Sequence, residues 1–281
     1  MILLLNSIKI IRPLNIILGS LSVGISVFLL DIPNLLGEIL RPAFVVIFFI
    51  AGSNIINDIF DVSSDKVNHP KRPLTSKIMS NKTAWVLCVL SYCVGAFFAL
   101  TLPVLAKFIA LVVVLPISIL YTPILKGIPI VGNITIALML AAVFLFTEAS
   151  VVGRVEKLWI PSFLAFGLTW IRELMKDIAD LEGDRENMVK TFPVKYGIKA
   201  SRNLFVILTM FLSLFSITPF IFGSYGLPYF IMLVSGVILP MCYIIFQLFQ
   251  DDLDLYLYKS FSKSLKVITV AGMCAIFFSK Y

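Results

Sequence analysis

The chain has 281 residues, 59% of them hydrophobic and only 14% charged, with a mean hydropathy of +1.01. That apolar share exceeds what a water-soluble or disordered chain carries and indicates a polytopic membrane protein. The net charge of +7 comes from basic residues dispersed through membrane-adjacent loops, a pattern that suits contact with anionic lipid headgroups and argues against a nucleic-acid surface.

Strand-like alternation is absent, so the pattern speaks for an all-α fold in which each spanning backbone satisfies its own hydrogen bonds. Segments of roughly 17 to 25 mostly apolar residues suffice to span a bilayer, and a window of that length finds about nine. They cover residues 10–30, 42–60, 83–102, 105–122, 130–151, 157–176, 203–222, 227–248 and 263–280. The first apolar run lacks a small-residue cleavage site and reads as a retained span. Residues 1–281 read as a single domain, and nothing in the sequence speaks to oligomeric state.

Basic residues sort by loop with a strong bias. Of the 23 lysines and arginines, all but Arg41, Lys107, Arg154, Lys157 and Lys280 fall on the side that holds the N-terminus. The positive-inside rule then predicts a multi-pass protein of the cell membrane with a cytoplasmic N-terminus and an external C-terminus. Cys88, Cys93, Cys242 and Cys274 lie inside the apolar segments, with no CxxC pair, and His69 is the single histidine. Neither disulfides nor a zinc site are expected.

Two stretches break the apolar pattern in the same way. Asn54, Asn57, Asp58, Asp61 and Asp65 share one arc of a helix turning roughly 100° per residue, as do Glu173, Lys176, Asp177, Asp180 and Asp184. A solvated helix end would explain any one of these acids. Their shared face, their repetition and the shortness of the apolar part of each helix argue that both stripes reach into the bilayer, where carboxylates are costly without a function. Clustered carboxylates raise one another's pKa unless a cation is present, and two converging oxygen-rich clusters suit Mg²⁺. Both predicted stripes lie toward the cytoplasmic end and adjoin basic residues, Lys71 and Arg72 after the first and Arg172, Lys176, Arg185, Lys190 and Lys195 around the second. Such cations serve equally as topology determinants and as contacts to a diphosphate. Pro70 and Pro73 stiffen the loop after the first stripe.

In these motifs the chain resembles the UbiA superfamily of intramembrane prenyltransferases. The likeness lies in Asn57-Asp58-x-x-Asp61-x-x-x-Asp65, the following Asn68-His69-Pro70-Lys71-Arg72-Pro73-Leu74, and Tyr121-Thr-Pro-Ile-Leu-Lys126. It continues through Gly132-Asn133 and Asp177-x-x-Asp180-x-x-x-Asp184-Arg185 to Thr191-Phe192-Pro193-Val194, with Arg12-Pro13-Leu14-Asn15 near the start. The resemblance implies nine transmembrane helices around a central cavity capped by polar loops on the cytoplasmic side, where the active site would lie. It assigns Asn57, Asp58, Asp61 and Asp65, together with Asp177, Asp180 and Asp184, to two Mg²⁺ on the diphosphate of an isoprenyl donor. Arg72, Lys126 and Lys176 become candidates for diphosphate contact, with Lys71 and Arg12 beside them. Tyr121 matches a family tyrosine near the reacting carbon, so Asp61, Asp180, Tyr121 and Lys126 form the candidate catalytic set.

Within the superfamily, the segment Arg172 to Arg185 looks most like the archaeal ether-lipid branch. That likeness implies transfer of a geranylgeranyl group from its diphosphate to geranylgeranylglycerol phosphate, a lipid acceptor taken up from the membrane. An acceptor that carries its own phosphate would use additional cations, and Arg185, Lys190 and Lys195 are spare ones. Two other readings compete. An aromatic prenyltransferase making a quinone precursor or a chlorophyll-type product shares parts of the motif. A cation-coupled transporter would also place carboxylates in the membrane, although usually near the midplane at broken helices.

Overall fold

Apolar runs punctuated by proline, glycine and charge fold into helices throughout the computed structural model, which describes residues 9–32, 35–250 and 254–281. In chain order these are α1 (Pro13–Leu29), α2 (Leu35–Phe60), α3 (Val62–Asn68), α4 (Asn81–Leu100), α5 (Val104–Leu125), α6 (Val131–Val152), α7 (Trp159–Ala179), α8 (Leu181–Glu186), α9 (Phe192–Ile221), α10 (Leu227–Leu248) and α11 (Leu255–Phe278). No strand occurs among the described residues. The protein is all-α and polytopic.

Seven of these helices are long and apolar enough to cross a membrane: α2, α4, α5, α6, α9, α10 and α11. The other two long helices fall short for different reasons. α1 is apolar but has 17 residues, and α7 has 21 but carries Arg172, Glu173, Lys176 and Asp177. Together they occupy the nine positions expected from hydropathy, with shifted ends. α2 begins at Leu35 instead of 42, α9 at Phe192 instead of 203, and α11 at Leu255 instead of 263. In α9 and α11 the added turns hold lysines, serines and tyrosines, which a hydropathy window rejects although a helix accepts them readily. α9 is interrupted at Gly197, which divides its short amphipathic start from its apolar length.

Local chemistry sets several helix ends. The Ser80 hydroxyl accepts from Thr83 N–H at 3.0 Å and the Asp254 carboxylate from Leu257 N–H at 3.0 Å, capping α4 and α11. Pro13, Pro193 and Pro228 stand in the first turns of α1, α9 and α10, where a missing N–H costs nothing.

α2 packs between α1 and α4, α7 packs against α6, α9 and α11, and α1 touches both α6 and α11, which closes the bundle. One apolar cluster forms around Val27, Phe49, Ile55 and Tyr92, and a second around Ile171, Met175, Phe205 and Tyr229. The Tyr229 side chain is fully buried and its hydroxyl donates to Ser216 C=O at 2.7 Å, so this phenol is not left orphaned. Leu214 and Phe246, at 70% and 65% exposure, point outward to the zone that lipid would fill. Helix association in such surroundings depends on close van der Waals packing, and small buried residues such as Ala84, Ala99, Ala106 and Ala110 allow it.

The bundle has two chemically different ends. At one, Arg12 pairs with Asp58 just before α1 begins. At the other, Lys280 reaches Phe28 C=O and Asp31 just after α1 finishes. α1 and α11 therefore run parallel, and the first and last described residues lie at opposite ends. That second end also holds Glu148, a buried acid whose carboxylate accepts the N–H groups of Glu156, Lys157 and Leu158 at 2.8 to 3.0 Å and so fixes the turn into α7.

Candidate active site

Both acidic stripes are built on one backbone plan. α2 ends at Phe60, Asp61 adopts φ −88°, ψ 4°, and the short α3 follows; α7 ends at Ala179, Asp180 adopts φ −98°, ψ 7°, and the short α8 follows. The uninterrupted helix on which the stripes were projected is thus corrected to helix, single bridge-region residue, helix. The hydrogen-bond ladder nevertheless passes through each break. Asp61 N–H donates to Asn57 C=O at 2.9 Å and Asp65 N–H to Asp61 C=O at 2.8 Å; Asp180 N–H donates to Lys176 C=O at 2.9 Å and Asp184 N–H to Asp180 C=O at 3.1 Å. Because the ladder survives, Asn54, Asn57, Asp61 and Asp65 keep the common face that their spacing predicts, as do Glu173, Lys176, Asp180 and Asp184, while Asp58 and Asp177 depart from it.

α3 and α8 lie against each other. Gly183 makes this possible: a Cβ there would stand 2.3 Å from the side-chain nitrogen of Asn68. That Asn68 amide donates to Asp180 C=O at 3.2 Å, stitching one unit to the other.

A cavity of about 780 Å³ opens between the units, within the size range of small-molecule sites. Asn57, Asp61 and Asp65 reach it from α2 and α3, Asp180 and Asp184 from α7 and α8, and Arg12, Arg72, Tyr121, Lys126 and Lys176 complete its polar wall. Farther along, Phe49, Ile50, Val114, Met139, Leu140 and Leu168 make the wall apolar. Three of the residues expected at the site are not on this wall. Asp58 lies behind it, buried, paired with Arg12 and with Arg72 at 3.4 Å. Asp177 accepts from the Asn133 amide at 2.8 Å. Lys71 faces an adjoining shallow depression with Lys9, Pro70 and Pro73, which shares Asn68, His69 and Arg72 with the cavity wall.

Protein cations hold the first unit. Lys126 Nζ lies 2.6 Å from Asp61 and Arg72 Nη1 2.5 Å from Asp65, while Thr122 donates to the Asn57 side chain. Lys126 is delivered by a wide turn at the end of α5, in which its N–H reaches back five residues to Tyr121 C=O at 2.8 Å. Gly132 accommodates that turn, since a Cβ at this position would stand 3.0 Å from the Lys126 carbonyl oxygen. Arg12 is positioned by a left-handed backbone, φ 53°, whose strain is held by Asn54: its amide donates to Ile11 C=O at 2.8 Å and its carbonyl accepts from Asn15 at 3.1 Å.

The second unit is compensated differently. His69 lies 3.6 Å from Asp180, and Glu173 is shared by Arg172 at 2.8 Å and Lys176 at 3.6 Å. Asp184 forms no ion pair among the described residues. Burial pushes its carboxyl up to about 6, against the pull of Lys126 and Lys176. Asp65 is likewise raised by burial in spite of Arg72, whereas Asp180, partly buried, is brought below its ordinary value by His69 and Lys176, against the pull of burial. Among the described residues no three acidic, histidine or cysteine side chains gather tightly enough to hold a metal as they stand. Arginine and lysine keep the carboxylates of the first unit engaged.

Sequence reasoning missed His69, Thr122 and Asn133 as partners of the acids. Each stands in a motif that the resemblance rests on, yet only the fold shows which acid it meets. The Lys259, Lys263 and Lys266 side chains, counted only as topology determinants, also line the cavity.

The profile of the UbiA prenyltransferase family matches residues 18–258. A digeranylgeranylglyceryl phosphate synthase of Pyrococcus furiosus is 32% identical over 272 residues, covering 96% of this chain and 94% of that one. A solved structure described as giving insight into digeranylgeranylglyceryl phosphate synthase in membranes superposes with a TM-score of 0.75 at 28% identity, covering 99% of both chains. A UbiA homolog from Archaeoglobus fulgidus bound to GPP and Mg²⁺ shares the fold, with a TM-score of 0.72 at 18% identity over 96% of this chain and 99% of that one. The chain belongs to the UbiA prenyltransferase family.

Proposed function

We propose that the chain, acting as one prenyltransferase domain over residues 1–281, transfers a geranylgeranyl group from its diphosphate to geranylgeranylglycerol phosphate at the cytoplasmic face of a membrane. The observation that carries this reading is the pairing of two carboxylate-bearing breaks, at Asp61 and Asp180, across a cavity whose remaining wall is apolar. The acceptor follows from the 32% identity to the Pyrococcus synthase along nearly the whole chain. The cytoplasmic placement follows from the bias of basic residues toward the end that holds the site.

The donor set fits a hard divalent cation. Asn57, Asp61, Asp65, Asp180 and Asp184 offer only oxygen ligands, and the raised Asp65 and Asp184 carboxyls mark charge that burial leaves under-compensated. These five residues would hold Mg²⁺, two ions in our reading, with Asp58 and Asp177 acting from behind the wall as positioning residues. Mg²⁺ supplies electrophilic stabilisation of the leaving diphosphate.

The chain's own residues do the rest. Lys126 and Arg72, which hold Asp61 and Asp65 in the structure, are free to meet phosphate oxygens once those carboxylates are otherwise engaged, and Lys176 joins them from α7. These cations stand where negative charge grows as the allylic C–O bond breaks. The Tyr121 ring, buried at the polar end of the cavity, packs beside the carbocation. A hydroxyl of the glycerol forms the new C–O bond, and its proton passes to an anionic oxygen of the departing diphosphate. The apolar wall keeps water from the cation and receives the isoprenyl tail, each buried CH₂ contributing about 0.8 kcal/mol.

Purified protein given geranylgeranyl diphosphate, Mg²⁺ and geranylgeranylglycerol phosphate is expected to form the diether phosphate, detected by mass spectrometry. Prenylation of a hydroxybenzoate or dihydroxynaphthoate instead would overturn the acceptor assignment.

A further inference from the structure

The cavity has a third polar wall that neither acidic unit supplies. α11 turns Tyr256, Lys259, Lys263, Lys266 and Thr269 toward it, at the three- and four-residue intervals that place side chains on one helical face. α11 contributes no carboxylate to the cavity, and none of the three lysines makes an ion pair with a described residue. Arg172 of α7 lines the same cavity and acts on Lys266 as a like charge, as do Arg12 and Lys176. Glu173 is the opposing charge there, and Arg172 and Lys176 already share it. Cations gathered around a partly apolar cavity repel one another unless an anion joins them. Beyond Thr269 the same face becomes Gly272, Met273 and Ile276. A phosphate set against the lysines would therefore have apolar wall directly alongside for a hydrocarbon chain.

We infer that Lys259, Lys263 and Lys266 of α11, with Arg172 beside them, form the subsite for the phosphate monoester of the acceptor lipid. The inference rests on the acceptor class proposed above. The donor's diphosphate calls for carboxylates to share a metal, and those lie on the α2–α3 and α7–α8 units. A phosphate monoester carries about −1.5 to −2 charges near neutrality and needs only cations, which lysine supplies as point charges. The geometry divides the two anions between two walls of one cavity.

The test measures binding of geranylgeranylglycerol phosphate, and of the same glycerol ether without its phosphate, to detergent-solubilised protein in the absence of donor. Lys263→Gln and Lys266→Gln are each expected to weaken binding of the phosphorylated lipid by about tenfold, the loss of one charged hydrogen bond. Affinity for the dephosphorylated ether should stay the same, and Lys266→Arg should retain most of the phosphate preference. An equal fall for both lipids, no fall for either, or a native protein that shows no phosphate preference overturns the inference. So does a fall in affinity for inorganic diphosphate that matches the fall for the lipid. Because no turnover is needed, a native protein that binds through these lysines but transfers no prenyl group refutes the proposed reaction and leaves the subsite standing. Intact turnover with lost lysine dependence refutes the subsite alone.

Discussion

In the unit formed by α2 and α3, Asp58, Asp61 and Asp65 each meet an arginine or lysine. In the unit formed by α7 and α8, Asp177 is held by an amide, Asp180 by His69, and Asp184 by no ion pair among the described residues. The backbone plan is the same, down to a bridge-region aspartate at each break. The difference lies in which charges arrive from elsewhere in the chain. Arg12, Arg72 and Lys126 all converge on the first unit, so each of its carboxylates has a cation partner before any ligand binds, although burial still leaves the Asp65 carboxyl raised. The second unit keeps part of its burial cost, which is visible in the raised Asp184 carboxyl. A divalent cation would thus have to replace existing partners in the first unit, where Asp65 also keeps a burial cost, and would meet no ion-pair partner among the described residues to replace at Asp184 of the second.

The largest effect should come from removing the aspartate at either break. Asp61→Ala and Asp180→Ala are each expected to lower prenyl transfer by at least about a thousandfold, since electrostatic stabilisation of the leaving group is the dominant catalytic contribution. Helical circular dichroism should stay unchanged, and near-normal turnover of both variants at limiting Mg²⁺ would end the metal assignment.

Arg72→Ala tests the cation-paired character of the first unit. It leaves Asp65 without an ion-pair partner and Asp58 with Arg12 alone. Stranding a buried carboxylate costs about 3 kcal/mol or more, so both the midpoint of thermal unfolding and kcat/KM should fall. Asn133→Ala, the counterpart on Asp177, removes one hydrogen bond and should cost less on both measures. Equal effects would erase the contrast between the units.

Asp184→Asn should act in opposite directions with and without metal. The carboxyl is raised in the fold, so the folded protein keeps its proton at pH values where the unfolded chain has lost it. Its ionisation therefore costs stability, and that cost grows as pH rises from about 4 through about 6. At pH 7 without Mg²⁺ the amide variant should melt higher than the native protein, and the rise in melting temperature on adding Mg²⁺ should shrink. A variant less stable than the native protein under metal-free conditions would refute the uncompensated-charge account.

The smallest effect on chemistry is expected from Glu148→Gln at the far end of the bundle. The carboxylate there accepts three backbone N–H groups and lies away from the cavity wall. Transfer should remain within about twofold while stability drops by about 1 to 3 kcal/mol, the cost of leaving buried donors without a charged acceptor. A large loss of turnover would mean that the turn into α7 sets the position of Asp180.

Much of the site was legible because its parts obey local rules. The four-residue interval from Asp61 to Asp65 and from Asp180 to Asp184 places each pair on one face whether or not the helix breaks between them. The break itself left no mark on the pattern, since one bridge-region residue leaves the hydrogen-bond register intact. Lys71, adjacent to Arg72 in sequence, lines only the neighbouring depression, whereas Arg72 lines both that depression and the cavity and pairs with Asp65. Lys259, Lys263 and Lys266 were hidden for another reason: any lysine near the end of an apolar segment is already accounted for by topology.

The sequence by itself determined the membrane class, the all-helical build and the two carboxylate stripes, because these follow from hydropathy, length and helical period. Which cation meets which acid was decided only by the tertiary structure, as was the removal of Asp58 and Asp177 from the cavity wall and the turning of a lysine face of α11 into it. Pairings such as Arg12 with Asp58 and Lys126 with Asp61 join residues 46 and 65 positions apart. Their strength depends on distance and burial, which helical period does not encode and which appear only when the helices close around a common space.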